Sequence, residues 1–212
     1  MPDFVSKLLE NNRNWVKNKL QTDPDFFNNL SSRHEPQLLW IGCSDARVPA
    51  NQITGTKPGD VFVHRNISNM VVHTDMNLLS VLSYAVEVLQ VKHIIVCGHY
   101  QCGGIRAAMS NTSFGLIDNW LRHVKDVYRL HLSELEAIKD ENVRYNRLAE
   151  LNVMQQVYNL CKTSIVQSAW QKGEFPYIHG WVYDVHDGIL KDLEVTFNSH
   201  HPLPDLYKFD GI

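Results

Sequence analysis

Residues 37–47 read QLLWIGCSDAR and residues 93–104 read HIIVCGHYQCGG. Each stretch begins with a continuous apolar run, which is typical of a strand buried on both faces of a sheet. Between them, residues 60–65 (DVFVHR) predict another strand and residues 76–89 a helix with one apolar side. Strand, crossover and strand again is the signature of a parallel sheet, so the two stretches predict an α/β fold.

The rest of the chain predicts helices around this sheet. Residues 3–21 carry apolar side chains at near-helical spacing, and a second short helix follows Asp23-Pro24, so residues 1–34 form an N-terminal helical arm. Helices are also predicted at 116–131 and at 144–171, the latter with a break at Thr163-Ser164. Strands at 178–183 and 189–193 flank a hairpin signal, Asp187-Gly188. With no linker in between, we expect one domain, 1–212.

Composition excludes several classes of protein. The 212 residues are 44% hydrophobic and 20% charged with a net charge of −3. There is no basic run, so we expect no nucleic-acid partner. No stretch reaches the roughly 18 apolar residues of a membrane span, and the N-terminus lacks a signal-peptide core, so we expect no membrane partner and a cytoplasmic location. In that reducing setting, four cysteines indicate metal binding or catalysis before disulfides.

Three residues just past the carboxyl ends of predicted strands form the ligand set of a zinc site: Cys43, His99 and Cys102. The glycines around His99 and Cys102 allow a tight turn that aims both side chains at one point. Two cysteines and one histidine leave a tetrahedral Zn²⁺ with one position for water or substrate, whereas a structural site is closed by a fourth ligand. The sequence therefore predicts one catalytic Zn²⁺ per chain.

Neighbouring residues support this interpretation. Cys97 is a rival ligand two residues before His99, but it ends a β-branched run and is predicted to pack in the core, as is Cys161.

Asp45 and Arg47 lie two apart beyond a strand, so they can pair. Arg47 would keep Asp45 ionised, leaving a carboxylate oxygen to accept a hydrogen bond from zinc-bound water or to ligate zinc itself.

The residues alone predict zinc-activated water acting on a small substrate. Two thiolates cancel the charge of Zn²⁺, so the water should be less acidic than in a three-histidine site, where its pKa is about 7. Activity should then be highest at mildly alkaline pH. Motifs of serine hydrolases, nucleoside-triphosphate enzymes and dinucleotide-binding enzymes are absent from the sequence.

Several motifs in order resemble the β-class carbonic anhydrases of bacterial type. They are CSDARVP (43–49), HRN (64–66), CGHYQCGG (97–104), LIDNW (116–120) and GWVYD (180–184). The resemblance implies zinc on Cys43, His99 and Cys102, the Asp45 and Arg47 dyad, and reversible hydration of CO₂ to bicarbonate and a proton. It also implies a mostly parallel sheet with an antiparallel edge strand and flanking helices, and a homodimer, often doubled to a tetramer, whose N-terminal arm reaches across to the partner.

Further residues match the substrate pocket of the family. Phe62, Ile67 and Tyr84 fall where the family lines an apolar pocket for CO₂; alternatively, each is a core residue. Two positions depart from the family pattern. Ala46 replaces the usual Ser beside the dyad, and His34 stands where the family usually has a Gln that binds substrate.

Trp40, Arg65 and Tyr183 match one subgroup of the β-class that binds a non-catalytic, allosteric bicarbonate, and Val48 also resembles that subgroup. The alternative for all three is a structural role in the sheet.

Two further functions stay open: a carbon disulfide hydrolase with the same zinc ligands, and a zinc-binding regulatory protein without catalysis. The presence of both Asp45 and Arg47 argues against the latter, because zinc affinity alone does not need the dyad.

Overall fold

The computed structural model describes residues 3–173, 175–199 and 203–211. They fall into two compact units, one ending at Glu35 and one beginning at Pro36. The first unit is the predicted helical arm, with helices α1 (Phe4–Thr22) and α2 (Phe26–Ser32). Within it, the ring of Trp15 meets Phe26 and Phe27 edge-on, at 6.2 and 5.5 Å between centroids. The expectation of a single domain stays a prediction.

The second unit contains five strands and seven further α-helices among the described residues. The strands are β1 (Leu38–Cys43), β2 (Val61–Asn66), β3 (His93–His99), β4 (Tyr177–Tyr183) and β5 (Leu190–Phe197). The helices are α3 (Ala50–Thr54), α4 (Met76–Ser83), α5 (Gly103–Ala108), α6 (Ile117–Leu130), α7 (Leu132–Ala137), α8 (Glu141–Cys161) and α9 (Ser164–Lys172). None of the described helices has the length and apolar character needed to cross a membrane.

The strands form one sheet in the order β2-β1-β3-β4-β5. The first four strands run parallel and β5 is an antiparallel edge, which confirms the predicted fold class. β1 and β3 are neighbours, so their carboxyl ends meet at one edge of the sheet. The sequence placed Cys43 and His99 just past these strands. Instead, they are the last strand residues, because pairing continues beyond Gly42 and Gly98 to Cys43↔Asn66 and His99↔Tyr183.

The core explains why β1 and β3 are apolar throughout. One cluster joins strand residues such as Leu39 and Val96 to α4, α8 and α9. A second cluster contains the alternate residues Trp40, Ile95 and Cys97. Because side chains alternate across a strand, the two clusters lie on opposite faces of the sheet.

Two helix predictions meet different outcomes. The predicted break is confirmed: α8 ends at Cys161, and the Thr163 side chain accepts a hydrogen bond from the Val166 amide to begin α9. The helix predicted over 76–89 is present but is not α-helical throughout, because a π-helical segment, Tyr84–Val88, follows α4. There the Leu89 amide reaches the Tyr84 carbonyl, one residue farther than in an α-helix.

Candidate metal centre

The predicted zinc ligands converge at the carboxyl edge of the sheet. Cys43 ends β1, His99 ends β3, and Cys102 is the residue before α5. Between His99 and Cys102 the chain turns at Gln101, whose φ is +56°. This turn brings Cys102 back beside the strand ends, as the spacing and the flanking glycines predict.

The three side chains present one ligand atom each, all within 4.8 Å of one another, and all three residues are buried. The two sulfurs are 3.9 Å apart. That is too long for a disulfide bond, about 2.05 Å, and suits two thiolates about 2.3 Å from a shared zinc ion. Two thiolates and an imidazole are donors that zinc prefers.

The histidine is prepared to bind a metal through Nε2. His99 Nδ1 lies 2.9 Å from the Tyr100 carbonyl, to which it donates. This hydrogen bond fixes the tautomer and leaves the Nε2 lone pair free. Nε2 is buried without a hydrogen-bond partner. A buried, unpartnered nitrogen is costly unless a ligand satisfies it, so the residues fit a bound cation.

The two thiols perturb each other. The contact between the sulfurs lowers the pKa of the Cys43 thiol and raises that of Cys102, so the pair loses its protons in two coupled steps. A divalent cation between the sulfurs stabilises both as thiolates. Metal binding at this site therefore releases protons and weakens as pH falls.

Asp45 and Arg47 form the predicted pair. Arg47 donates to Asp45 from its backbone amide (2.9 Å), Nε (2.9 Å) and Nη2 (2.7 Å). The guanidinium hydrogen bonds hold the pKa of the Asp45 carboxyl well below its usual range. Asp45 Oδ2 is also 3.7 Å from His99 Nε2, so the ionised carboxylate borders the metal site.

The other two cysteines lie in the core, as predicted. Cys97 and Cys161 are completely buried and do not belong to the ligand cluster. Burial raises the pKa of both thiols, that of Cys161 to about 12. Neutral, inert thiols are what a hydrophobic core requires.

Comparison with known proteins gives the family. The carbonic anhydrase family model matches residues 38–190. The chain belongs to the β-class carbonic anhydrases. It is 52% identical to a carbonic anhydrase of Emericella nidulans over 191 residues, which are 90% of this chain and 84% of that protein. It is 38% identical to a carbonic anhydrase of Candida albicans, over 94% of this chain and 71% of that protein.

Solved structures of β-carbonic anhydrases share this fold. A tetrameric enzyme of the ascomycete Sordaria macrospora matches with a TM-score of 0.87 and 41% identity, over 91% of this chain and 98% of that one. The Coccomyxa β-carbonic anhydrase in complex with acetazolamide matches with a TM-score of 0.90 and 35% identity, over 94% of this chain and 90% of that one.

The predicted substrate residues of this β-carbonic anhydrase are only partly brought together. Ile67 lies beside the loop of Cys102: a Cβ built on Gly104 would stand 2.9 Å from Ile67 Cγ2. Phe62 and Tyr84 contact each other, with ring centroids 5.8 Å apart. His34 belongs to the N-terminal unit, so its role at the site stays a prediction.

Two of the three predicted bicarbonate residues share the second core cluster. Trp40 is fully buried in it and Tyr183 packs against it. The Trp40 indole Nε1 is buried without a partner. Arg65 donates to the carbonyls of Cys43 and Asp45, the first from Nε at 2.8 Å. Arg65 thus contacts the backbone of one predicted metal ligand, Cys43, and of Asp45 in the predicted dyad.

Sequence reasoning missed the turn after β2. In that turn Ser68 is completely buried, and its Oγ lies 3.7 Å from Cys102 Sγ. The Asn152 side chain of α8 donates to the Ser68 carbonyl at 3.0 Å. The signal in the sequence was the second glycine of Gly103-Gly104. A glycine there indicates that another part of the chain approaches closely, but the motif alone does not show which part.

Proposed function

We propose that this protein is a zinc-dependent carbonic anhydrase that binds one Zn²⁺ per chain and interconverts CO₂ with bicarbonate and a proton. The observation that carries this proposal is the convergence of Cys43, His99 and Cys102 beside the Asp45 and Arg47 pair. Every relative reported above is named a carbonic anhydrase. Nothing in the comparisons favours a carbon disulfide hydrolase or a regulatory protein without catalysis.

The chain's own residues give the mechanism. A bound Zn²⁺ supplies Lewis-acid activation of water as the nucleophile. Arg47 keeps Asp45 ionised, and the carboxylate accepts a hydrogen bond that orients the attacking oxygen. His99 stays in the tautomer that its bond to the Tyr100 carbonyl sets. Ile67 contributes an apolar wall that suits the uncharged substrate.

Three matched substitutions test the metal ligands. Cys43→Ser and Cys102→Ser should lose zinc and CO₂ hydration, because serine does not supply a thiolate. Cys97→Ser, in the core nearby, should keep one zinc per chain. Zinc is quantified by mass spectrometry, and CO₂ hydration is measured by stopped flow. Hydrolysis of carbon disulfide is measured on the same proteins for comparison. Zinc retained by Cys102→Ser and lost by Cys97→Ser would refute the assignment.

We also propose that Phe62, Ile67 and Tyr84 line the CO₂ pocket and that His34 contributes a hydrogen-bond donor to it. The contact between Phe62 and Tyr84 supports an apolar surface shared by these two residues, and the position of Ile67 beside Gly104 supports an apolar side chain next to Cys102. An imidazole can gain a proton and a charge, whereas the amide of the usual Gln stays neutral. His34→Gln should therefore change the pH profile of kcat/KM, and an unchanged profile would remove His34 from the site.

The non-catalytic bicarbonate site of the bacterial-type subgroup is a further proposal. The unpartnered, buried Trp40 N–H and the guanidinium of Arg65 are donors suited to bicarbonate. An anion that draws Arg65 from the Asp45 carbonyl would disturb the dyad and favour a second state, in which Asp45 leaves Arg47 and closes the metal site. A ligand biases such states only through differential affinity.

The proposed switch makes activity depend steeply on pH. Because a carboxylate stays ionised at pH values where activated water regains its proton, acid favours the closed state. With coupled dimer sites, CO₂ hydration should rise with pH more steeply than one titrating group allows, and bicarbonate should steepen it. Tyr183→Phe should weaken the bicarbonate effect. Single-proton profiles in both proteins would reduce Trp40, Arg65 and Tyr183 to a structural role.

We propose that the enzyme assembles as a homodimer or as a dimer of dimers through its N-terminal arm. In α1 no residue is buried, and Phe4, Leu8 and Leu9 are exposed. An exposed apolar patch of this kind marks an interface. The related Sordaria macrospora enzymes are tetramers. Deleting residues 1–21 should destabilise the assembly, and an active monomer on a sizing column would contradict the proposal.

We propose a cytoplasmic location. None of the four cysteines is joined in a disulfide, which suits a reducing compartment. One relative of the chain is named as mitochondrial, so the mitochondrion is the alternative location. Fractionation of cells that express the tagged protein distinguishes the two compartments, and recovery with mitochondria would contradict the proposal.

A further inference from the structure

Ser68 is a buried polar residue in contact with one proposed metal ligand. It lies in the short turn Ile67–Asn69 that follows β2, and its side chain is fully inaccessible to solvent. Its Oγ is 3.7 Å from Cys102 Sγ. A cysteine that binds a metal is a thiolate and only accepts hydrogen bonds, whereas a serine hydroxyl donates readily. In the loaded enzyme the direction of this contact is therefore fixed, from Ser68 to Cys102.

The surrounding structure holds this hydroxyl in place. Ser68 has a φ of +63°, a left-handed conformation that favours glycine. Asn152 donates to the Ser68 carbonyl at 3.0 Å, which ties the turn to α8. On the other side Gly104 has no side chain, and a Cβ built there would overlap Ser68 Oγ. A serine in a conformation in which glycine would be relaxed points to a use for its side chain.

We propose that Ser68 is a positioning residue for the metal centre, which donates a hydrogen bond to the Cys102 thiolate. This inference rests on the proposed function, because it needs a metal bound by Cys102. The hydrogen bond orients the sulfur and removes part of its charge. Outer hydrogen bonds of this kind set ligand geometry and the electronic properties of the metal. The sulfur then donates less charge to the metal, which partly offsets the charge that two thiolates supply.

Two substitutions separate the hydroxyl from the backbone. Ser68→Ala removes only the oxygen and keeps the strained backbone. Ser68→Gly also removes the oxygen but relaxes the left-handed residue, so it should be the more stable of the two. If the role of Ser68 is purely structural, zinc affinity and the cobalt band should change more in the less stable variant, Ser68→Ala, than in Ser68→Gly. The proposed role predicts that both variants change in the same way.

The readout is the metal itself. Zinc affinity is measured by competition with a chelator, and cobalt-substituted protein is examined by its sulfur-to-cobalt charge-transfer absorption. Both variants should bind zinc about tenfold more weakly, because the loss of the hydrogen bond that orients the sulfur outweighs the greater charge donation of the freed thiolate. Their cobalt band should move to longer wavelength, because a thiolate without the hydrogen bond gives up charge more easily. Unfolding temperatures of the metal-free proteins, measured alongside, report stability.

The outcomes are distinguishable. Wild-type protein that binds no zinc or cobalt would overturn the proposed function and, with it, this inference. Wild-type protein that binds metal, with the affinity and the cobalt band unchanged in both variants, would overturn the role of Ser68 alone. Changes that follow stability, strong in Ser68→Ala and absent in Ser68→Gly, would also overturn it and make Ser68 a packing residue.

Discussion

Arg47 holds the Asp45 carboxylate with two side-chain nitrogens and its own amide. A lysine keeps the charge but has a single ammonium on a flexible stem, so it does not chelate both carboxylate oxygens. Arg47→Lys should therefore leave one zinc per chain and lower kcat/KM for CO₂ hydration about tenfold or more, the cost of losing an orienting contact. Stopped-flow kinetics with zinc quantified on the same sample measures this.

Arg129 offers a matched control for that substitution. It pairs with Asp126 on α6 at 3.6 Å, and both side chains are largely exposed. Exposed pairs contribute little, so Arg129→Lys should change neither kinetics nor zinc content. Equal kinetics for Arg47→Lys and wild type would show that charge alone, without bidentate geometry, is enough at Asp45.

The residues of the metal centre differ in how well sequence predicts them. Cys43 and His99 were predictable because apolar strands end at one edge of a parallel sheet, and Cys102 because glycines flank the loop. Ser68 was not predictable, since its contact with Cys102 depends on a left-handed turn and on the space beside Gly104. Turns of this kind form from tertiary packing, which residue patterns do not encode.

Helix α8 stabilises the turn after β2 through buried amides. Asn152 donates to the Ser68 carbonyl and accepts from Gln156, whose Oε1 in turn accepts from the Val71 amide. Asn152→Ala leaves a buried carbonyl and a buried amide without partners. The free energy of unfolding of the metal-free protein should fall by about 2 kcal/mol, measured in urea.

Asn119 is the control for this prediction. It is an exposed asparagine in the first turn of α6, and its side chain bonds only locally, to the Leu116 carbonyl at 3.2 Å. Asn119→Ala should change stability by less than about 0.5 kcal/mol. Equal losses in the two variants would mean that the Asn152 amide contributes no more than a surface hydrogen bond.

At the scale of elements, the sequence predicted which helices exist better than it predicted their buried polar residues and internal hydrogen bonds. The helix over 144–171 and its break at Thr163 were readable from apolar spacing and a capping residue. The buried amides of α8 were not, because Asn and Gln on a helix normally indicate a solvent-exposed face. The π-helical segment at Tyr84 was hidden as well, since apolar spacing does not reveal which carbonyl an amide reaches.

At the scale of the molecule, a network of charged residues joins distant parts of the chain. Glu150 of α8 accepts from Lys191 of β5 at 2.8 Å and from the Tyr100 hydroxyl of the metal loop, residues 99–102. Arg147 connects the same carboxylate to Glu134 of α7. The parallel sheet and its hairpin edge were predictable from local patterns. This network was not, because its members pair only after the sheet has brought β3, β5 and α8 together.

The network predicts how stability depends on pH. Burial raises the pKa of Glu150, but hydrogen bonds from Lys191, Tyr100 and Arg147 outweigh it, so the pKa lies below the ordinary value of 4.5. A carboxyl with a lowered pKa in the folded state stabilises the fold above its unfolded pKa and loses that contribution as pH falls. Glu150→Gln should therefore cost about 1–3 kcal/mol at pH 7 and progressively less below about pH 4.5.

Urea unfolding of wild type and Glu150→Gln across this range measures the difference. Both proteins are measured in the metal-free form, because metal release at low pH would otherwise add to the loss of stability. Glu136→Gln, a substitution of an exposed residue of α7, is the control and should show a small difference at every pH. If the cost of Glu150→Gln stayed constant from pH 7 to acid, the ionised carboxylate would not be what joins α8, β5 and the metal loop.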